Sequence, residues 1–215
     1  NLREWLILVN ALRSTHPSAI SDLIAAFGHF SIEHQKLTLH WLNQFAHLES
    51  PAWEDAICQI FIQNESSLAL DLARQESFFP SSPIQAALFH FLSGDWNSYT
   101  QLDFNHALLI QAYETASHPV RKRILEMSRL SGRQEWMTGL SSAARIVWLD
   151  DLNDPDWEIT LSTLRAAQRF DELWRLAQLA PPLWSARLIT ELAAAQWKPQ
   201  FSSEESHWQR LVTSS

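Results

Sequence analysis

Residues 82–94 read Ser82-Pro83-Ile84-Gln85-Ala86-Ala87-Leu88-Phe89-His90-Phe91-Leu92-Ser93-Gly94. The stretch starts with a residue that can cap a helix and a proline, continues as an apolar run and stops at a glycine. Proline fits the first turn of a helix, where its missing N–H costs nothing. Glycine just past a helix supplies the left-handed conformation that ends it. The stretch therefore predicts a helix over residues 83–92.

The same pattern returns twice at a fixed interval. Pro119 and Pro155 each follow the preceding proline by 36 residues, and each opens an apolar stretch. Helices are predicted over residues 119–130 and 155–167. A fixed interval between helix starts is typical of a helical repeat, in which stacked units bury a shared core. We expect all three prolines to lie in first helical turns, with their helices roughly parallel and related by one repeated rotation.

Each of these predicted helices is followed by a residue expected to end the helix and then by a short amphipathic segment. Gln168 occupies the place that Gly132 holds one unit earlier. The short pieces cover residues 95–102, 133–140 and 169–176, and they align at two apolar rows: Tyr99, Met137 and Leu173, then Leu102, Leu140 and Leu176. Longer helices are predicted over 104–115 and 142–152, and a last one runs from Pro181-Pro182 to about Trp197.

The first 80 residues also show the pattern of helices, predicted over 2–13, 17–27, 32–48, 51–63 and 66–75. The stretch Phe78–Pro83 cannot be helical throughout, and a weak boundary is expected near 77–82. The predicted fold class is all-α: one helical-repeat domain over 1–215, built as a right-handed α-α superhelix (solenoid). Its repeats of about 36–38 residues are clearest over 82–197.

The period and helix order of residues 82–197 resemble those of the HEAT, armadillo and tetratricopeptide α-solenoids. The tetratricopeptide consensus, with tryptophan, glycine, tyrosine and alanine at set offsets, is not matched. One phrase is similar to the helical units that accompany WD-type propellers in large bacterial regulatory proteins: Arg169-Phe170-Asp171-Glu172-Leu173-Trp174-Arg175-Leu176-Ala177. The resemblance implies a scaffold that holds a protein partner or a neighbouring domain.

Composition narrows the class of protein. Only 4 glycines occur in 215 residues, which favours helices with short connections. The net charge of −8 disfavours nucleic-acid binding. A single cysteine indicates a reducing compartment, so a cytoplasmic, intracellular location is expected. No apolar run approaches the ~20 residues needed to span a bilayer. The chain starts at Asn1 without a signal peptide or a methionine, and we expect it to be a segment of a longer polypeptide.

Four histidines are the candidate metal ligands: His29, His34, His40 and His47. Glu33, His40 and His47 follow one another at steps of seven along the predicted helix. Ligands two helical turns apart, ~10 Å, cannot share one ion. We expect a polar histidine-rich face with no metal and no cofactor. The alternative, a helical enzyme domain with a metal or acid–base site near His29–His47, stays open.

One cluster of basic residues stands out in the predicted helix 119–130 and just after it: Arg121, Lys122, Arg123, Arg129 and Arg133, with His118 before it. Positive charge at a helix start is slightly unfavourable. The cluster therefore indicates a partner with acidic groups, with a solvated helix face as the other interpretation. A solenoid that binds nucleic acid through residues 118–133 is a further alternative.

Other chemistry has weaker support in the sequence. The acidic stretch from Asp150 to Asp156 lacks the glycine and glutamate of a calcium loop, and is interpreted as a helix start capped by Asp154. Cys58 lies between isoleucines, as a buried structural cysteine does. No Gly-x-Ser-x-Gly or glycine-rich phosphate loop occurs. The chain is therefore expected not to be an enzyme.

The favoured function is a non-enzymatic helical-repeat scaffold for protein–protein or interdomain contacts. Solenoid ends without polar capping units leave apolar surface exposed. Trp5 and Trp208 are the candidate anchors for a neighbouring domain or for weak self-association. Expected alongside them at the two ends are Leu2, Leu6, Leu8, Trp197, Phe201 and Leu211. The other tryptophans, including Trp148, Trp157, Trp174 and Trp184, are expected to pack between helices.

Overall fold

The computed structural model describes residues 2–14, 17–48, 51–133, 136–137, 152–199, 208–209 and 212. Within them the chain is all-α, with no strand. The first nine helices are α1 (Leu2–Ser14), α2 (Pro17–Phe27), α3 (Ile32–Leu48), α4 (Pro51–Asn64), α5 (Ser67–Glu76), α6 (Pro83–Ser93), α7 (Trp96–Leu102), α8 (Ala107–Thr115) and α9 (His118–Ser131). Three more follow: α10 (Asp154–Ala166), α11 (Phe170–Leu179) and α12 (Pro182–Ala194). The helix predicted over 142–152 lies outside the described residues, apart from its last position.

The expectation for the three prolines is confirmed at the helix starts. Pro83 lies in the first turn of α6, Pro119 is the second residue of α9, and Pro155 lies in the first turn of α10. The predicted cap of α10 is wrong by one residue. Asn153 is the N-cap, and its side chain accepts from the Asp156 N–H while the Asp156 carboxylate accepts from the Asn153 N–H. This reciprocal arrangement satisfies two backbone donors, so it displaces Asp154 into the first turn.

The ends of several helices share one hydrogen-bond pattern. Gly94, Gly132 and Gln168 all have a positive φ, at 73°, 68° and 55°. In each case the next residue donates its N–H to a carbonyl five residues earlier, for example Arg133 to Ser128 at 3.0 Å. This is the Schellman motif, which satisfies carbonyls left over at a helix end. The predicted stop at Gln168 is therefore confirmed, although a glutamine adopts the left-handed conformation at a steric cost that glycine avoids.

Two details of the repeat alignment differ from expectation. The helix predicted over 104–115 starts at Ala107. His106, the residue before it, has a left-handed φ of 60° and therefore cannot belong to the helix. The row formed by Tyr99, Met137 and Leu173 is buried throughout, as expected. The second row is not uniform, since Leu102 is 41% exposed at the end of α7 while Leu176 is buried, and Leu140 lies outside the described residues.

The chain divides into two compact units, one of Asn1–Phe104 with Ser117–Arg123 and one of Asn105–Ala116 with Ile124–Ser215. The expected weak boundary near 77–82 lies inside the first unit. In that unit α4 packs against α2, α3, α5 and α6, and α2 also packs against α1. Helix α4 is accordingly buried on several faces, and each large apolar side chain that it removes from water contributes about 1.5–3 kcal/mol. Its buried members are Trp53, Ala56, Ile57, Cys58, Ile60, Phe61 and Ile62.

The last residue of α4 fixes α4 to the end of α2. Asn64 donates from Nδ2 to the Ile24 carbonyl at 2.9 Å and accepts from the Gly28 N–H at 3.1 Å. A Cβ at position 28 would come within 2.8 Å of Asn64 Oδ1, so a larger residue there would displace the Asn64 amide from this contact. The amide side chain of Asn64 thus caps the C-terminal end of α2 and joins it to α4.

The second unit has a tryptophan-rich core formed by α10, α11 and α12. Trp157 and Trp184 stack with ring centroids 5.7 Å apart, and Trp174 packs edge-on against Trp208 at 5.5 Å. The expected packing role is confirmed for Trp157, Trp174 and Trp184, while Trp148 lies outside the described residues. The aromatic pairs contribute about 0.5–1.5 kcal/mol each beyond the area that they bury.

Helix length and polarity also bear on membrane crossing. Over the part of the chain that the structure describes, no helix combines the length and the apolar character that a bilayer span requires.

Candidate interaction surfaces

Arg123, one of the expected partner-binding residues, caps a helix of its own chain. Its Nη1 donates to the carbonyls of Phe61 at 3.1 Å and Ile62 at 2.7 Å, which are among the last carbonyls of α4. The guanidinium also lies 5.3 Å from the centre of the Phe61 ring. Cations are favourable at helix C-termini, where carbonyl groups carry partial negative charge. The cost of a positive charge in the first turns of α9 is thus offset at the end of α4.

Arg129 forms a bidentate ion pair with Asp156. Its Nε lies 3.0 Å from Oδ1 and its Nη2 lies 2.5 Å from Oδ2, and the Asp156 side chain has no exposed surface. The bond to Asp156 is the main cause that raises the pKa of the Arg129 guanidinium above its ordinary value. Because the same carboxylate completes the cap of α10, this pair joins α9 to the start of α10 within the second unit.

The remaining basic residues of the cluster differ in exposure. Arg121 is buried, with 6% of its surface exposed. Lys122 and His118 are exposed, and Arg133 is half-buried. The cluster is therefore not one continuous charged face, since Arg121, Arg123 and Arg129 are directed into contacts within the chain.

The two expected aromatic anchors also differ. Trp208 is 5% exposed and packs against Trp174 and Trp197, so its ring belongs to the core of the second unit. Trp5 is 41% exposed, and its neighbours on α1, Leu6 and Val9, are 60% and 39% exposed. We call Trp5, Leu6 and Val9 the α1 patch.

The other apolar residues near the two ends of the chain, which were expected to be partly exposed, differ from one another in burial. The expectation that Leu8 is exposed is wrong: it is 3% exposed and belongs to the core with Ala11, three residues later on α1. Trp197 is half-buried against Trp174 and Trp208. Phe201 and Leu211 lie outside the described residues, and so does the side chain of Leu2.

A shallow pocket of about 300 Å³ lies at the start of α1 and is lined by Arg3, Glu4, Ile7, Ala26, His29 and Phe30. Its two charged residues and its histidine come from opposite sides, α1 and the turn after α2. The lining therefore combines apolar side chains with charged groups of both signs.

Two histidines of α3, His34 and His47, contact carboxylates and aromatic rings of other segments, whereas the ring of His40 contacts Trp41 of the same helix. His34 Nδ1 lies 2.8 Å from Glu4 Oε2 and 2.7 Å from Ser31 Oγ, and its ring meets Trp5 edge-on with centroids 6.2 Å apart. His47 Nε2 lies 3.3 Å from Glu76 Oε2. Among the described residues, no group of three His, Cys, Asp or Glu side chains is placed to hold a metal ion. His34 and His47 join α3 to α1 and to α5.

Cys58 is fully buried in α4, as expected. Burial raises the pKa of its thiol from 9.0 to about 12, and the negative charges of Asp55 and Glu54 act in the same direction. The thiolate is the reactive form of cysteine. The thiol is therefore held in its unreactive state at neutral pH.

Sequence reasoning did not find several other exposed apolar side chains. These are Phe79 at 50%, Phe104 at 83%, Leu130 at 85%, Leu179 at 57% and Leu183 at 71%. The periodic pattern identifies which helical positions are apolar, but an apolar residue at a helix end or in a turn has no periodic neighbour to mark it as exposed.

Comparison with protein-family models, curated proteins and solved structures finds no match to this chain.

The buried thiol gives a first prediction. The shift of the Cys58 pKa from 9.0 to about 12 lowers the thiolate fraction about a thousandfold at pH 8. Labelling with a disulfide reagent at pH 8 should therefore be slow in buffer and fast in urea. Because the folded state holds the proton more tightly, stability should fall as pH rises from 9 toward 12. Equal labelling rates in buffer and in urea would contradict the burial.

The ion pair gives a second prediction. Asp156→Ala removes the bidentate partner of Arg129 and one half of the α10 cap, so we expect it to lower the free energy of unfolding by about 3 kcal/mol. Urea denaturation followed by circular dichroism measures the change. Asp171→Ala, an exposed acidic residue in the first turn of α11, is the matched control and should cost under about 1 kcal/mol. Equal effects of the two substitutions would show that the pair is not structural.

Proposed function

We propose that this chain is a non-enzymatic helical-repeat scaffold that binds a protein partner or a neighbouring domain of the same polypeptide. The observation that carries the proposal is the α1 patch, where Trp5, Leu6 and Val9 form an exposed apolar surface on one helix. Exposed aromatic and aliphatic side chains grouped together are typical of binding surfaces.

The geometry around Trp5 fits an anchor residue. One edge of its ring is supported by His34, which is itself held against Glu4 and Ser31. A ring fixed in this way loses little conformational entropy when a partner covers its exposed side. Tryptophan is also among the residues most enriched at the centres of protein interfaces.

The packing of the first unit supports the repeat part of the proposal. Helices α2, α4 and α6 all begin with proline, and α4 packs against both of the others. Helices α3 and α5 pack against α4 and against each other. Alternate helices in contact, with the intervening helices forming a second row, are the arrangement that a right-handed α-α superhelix requires.

The test is partner capture with a matched pair of variants. Trp5→Glu should remove a bound partner, because it places a charge at the centre of the α1 patch and costs ≥2 kcal/mol of binding free energy. Leu130→Glu is the control, since Leu130 is exposed on α9 and lies outside the α1 patch. Quantitative mass spectrometry of material bound to the wild type and to both variants measures the difference.

Circular dichroism should show the same helix content for both variants. Thermal unfolding should be unchanged for Leu130→Glu, which is 85% exposed, and only modestly lowered for Trp5→Glu, which is 41% exposed and loses the ring contact with His34. A set of bound proteins that is identical for the wild type and for Trp5→Glu would contradict the proposal. Leu8 is unsuitable for this purpose, since a charge at that buried position would unfold α1.

A further inference from the structure

Helices α10 and α12 present one mixed-charge face in the second unit. Three side-chain contacts join them: Asp154 Oδ1 with Trp184 Nε1 at 3.0 Å, Glu158 Oε1 with Arg187 Nη1 at 2.5 Å, and Arg165 Nη1 with Glu191 Oε2 at 2.9 Å. Residue numbers rise together along both helices, so the helices run in the same direction. A groove of about 480 Å³ lies between them, with Leu161 and Ala166 among the residues that line it.

The four charges of this face alternate in sign. At the first ion pair the acid is on α10 and the base on α12, and at the second pair this order is reversed. Glu158 and Arg165 are seven residues apart, which is ~10.5 Å along a helix. All four side chains are accessible, with 50%, 48%, 63% and 31% of the surface of Glu158, Arg187, Arg165 and Glu191 exposed.

An alternating square of charges is complementary to itself. If a second copy is turned over by a two-fold axis that lies in the plane of the face and parallel to the helices, Glu158 meets the Arg187 of the other copy and Arg165 meets its Glu191. If the axis is perpendicular to the helices, Glu158 meets Arg165 and Arg187 meets Glu191. Every charge faces an opposite charge in both arrangements, as an isologous interface requires.

Leu183 adds an apolar contact to the same face. It lies four residues before Arg187 and eight before Glu191, on one stripe of α12, and it is 71% exposed. Exposed ion pairs contribute little free energy by themselves, so burial of this leucine and of the groove supplies the attraction, and the charges select the partner.

We propose that the α10–α12 face binds the same face of a second copy of this chain, forming a weak two-fold dimer. The face is separate from the α1 patch on which the proposed function rests. Trp5→Glu should therefore leave the dimer unchanged, and the failure of one proposal does not entail the failure of the other.

Complementary charge variants test the proposal by sedimentation equilibrium. Arg165→Glu with Arg187→Glu makes the square entirely acidic, and Glu158→Arg with Glu191→Arg makes it entirely basic. Each variant alone should dimerise at least about tenfold more weakly than the wild type, because like charges then face each other. An equimolar mixture of the two should associate again, with opposite squares in contact.

A single exposed substitution covers the case in which a charge variant folds poorly. Leu183→Lys should weaken the dimer at least about tenfold. Leu130→Lys should not, since Leu130 is an exposed leucine on α9, outside this face. Circular dichroism confirms that each variant is folded. A wild type that remains monomeric at about 1 mM would overturn the proposal. A dimer that is indifferent to Leu183→Lys, or folded charge variants that do not associate on mixing, would also overturn it.

Discussion

Five helices in the described part of the chain end on one kind of hydrogen bond, in which the residue directly after a left-handed residue donates its N–H to the carbonyl five residues earlier. The donors are Phe78, Asp95, Arg133, Arg169 and Trp197. The bond needs a positive φ at the preceding residue, which glycine adopts at two sites and serine or glutamine at the other three. Because it reverses the chain within a few residues, it keeps the helices short and brings successive helices side by side. The motif ends α5, α6, α9, α10 and α12.

Long-range polar contacts join helices whose contacting residues are far apart in the sequence. Arg123 closes the end of α4, Asn64 closes the end of α2, and Asp156 receives Arg129 while it caps α10. In each case one side chain satisfies backbone groups at a helix end or a buried charge, which would otherwise be costly. These polar side chains therefore join helices within each unit, and the two proposals rest on other surfaces, the α1 patch and the α10–α12 face.

The sequence was sufficient for the local part of this architecture. The predicted bounds of α2 and α3 are confirmed to the residue, because proline, serine and periodic apolar positions act within a few residues of the helix ends. The sequence was insufficient to predict contacts between residues that are far apart along the chain. The partners of Arg123 and Arg129 lie 61 and 27 residues away, and nothing near those arginines indicates them. The burial of Leu8 and Trp208 likewise depends on packing between helices, which the spacing of apolar residues along one helix does not predict.

The central proposal is that the three repeat segments beginning at Pro83, Pro119 and Pro155 are related by one repeated rotation and translation. Spin labels at the exposed positions Ser82, His118 and Asp154 test it directly, since the buried Cys58 is expected to react with the label only slowly. Double electron–electron resonance on the pairs 82/118 and 118/154 measures two successive distances. One repeated rotation and translation predicts that the two distance distributions coincide. Clearly different mean distances would contradict the repeat.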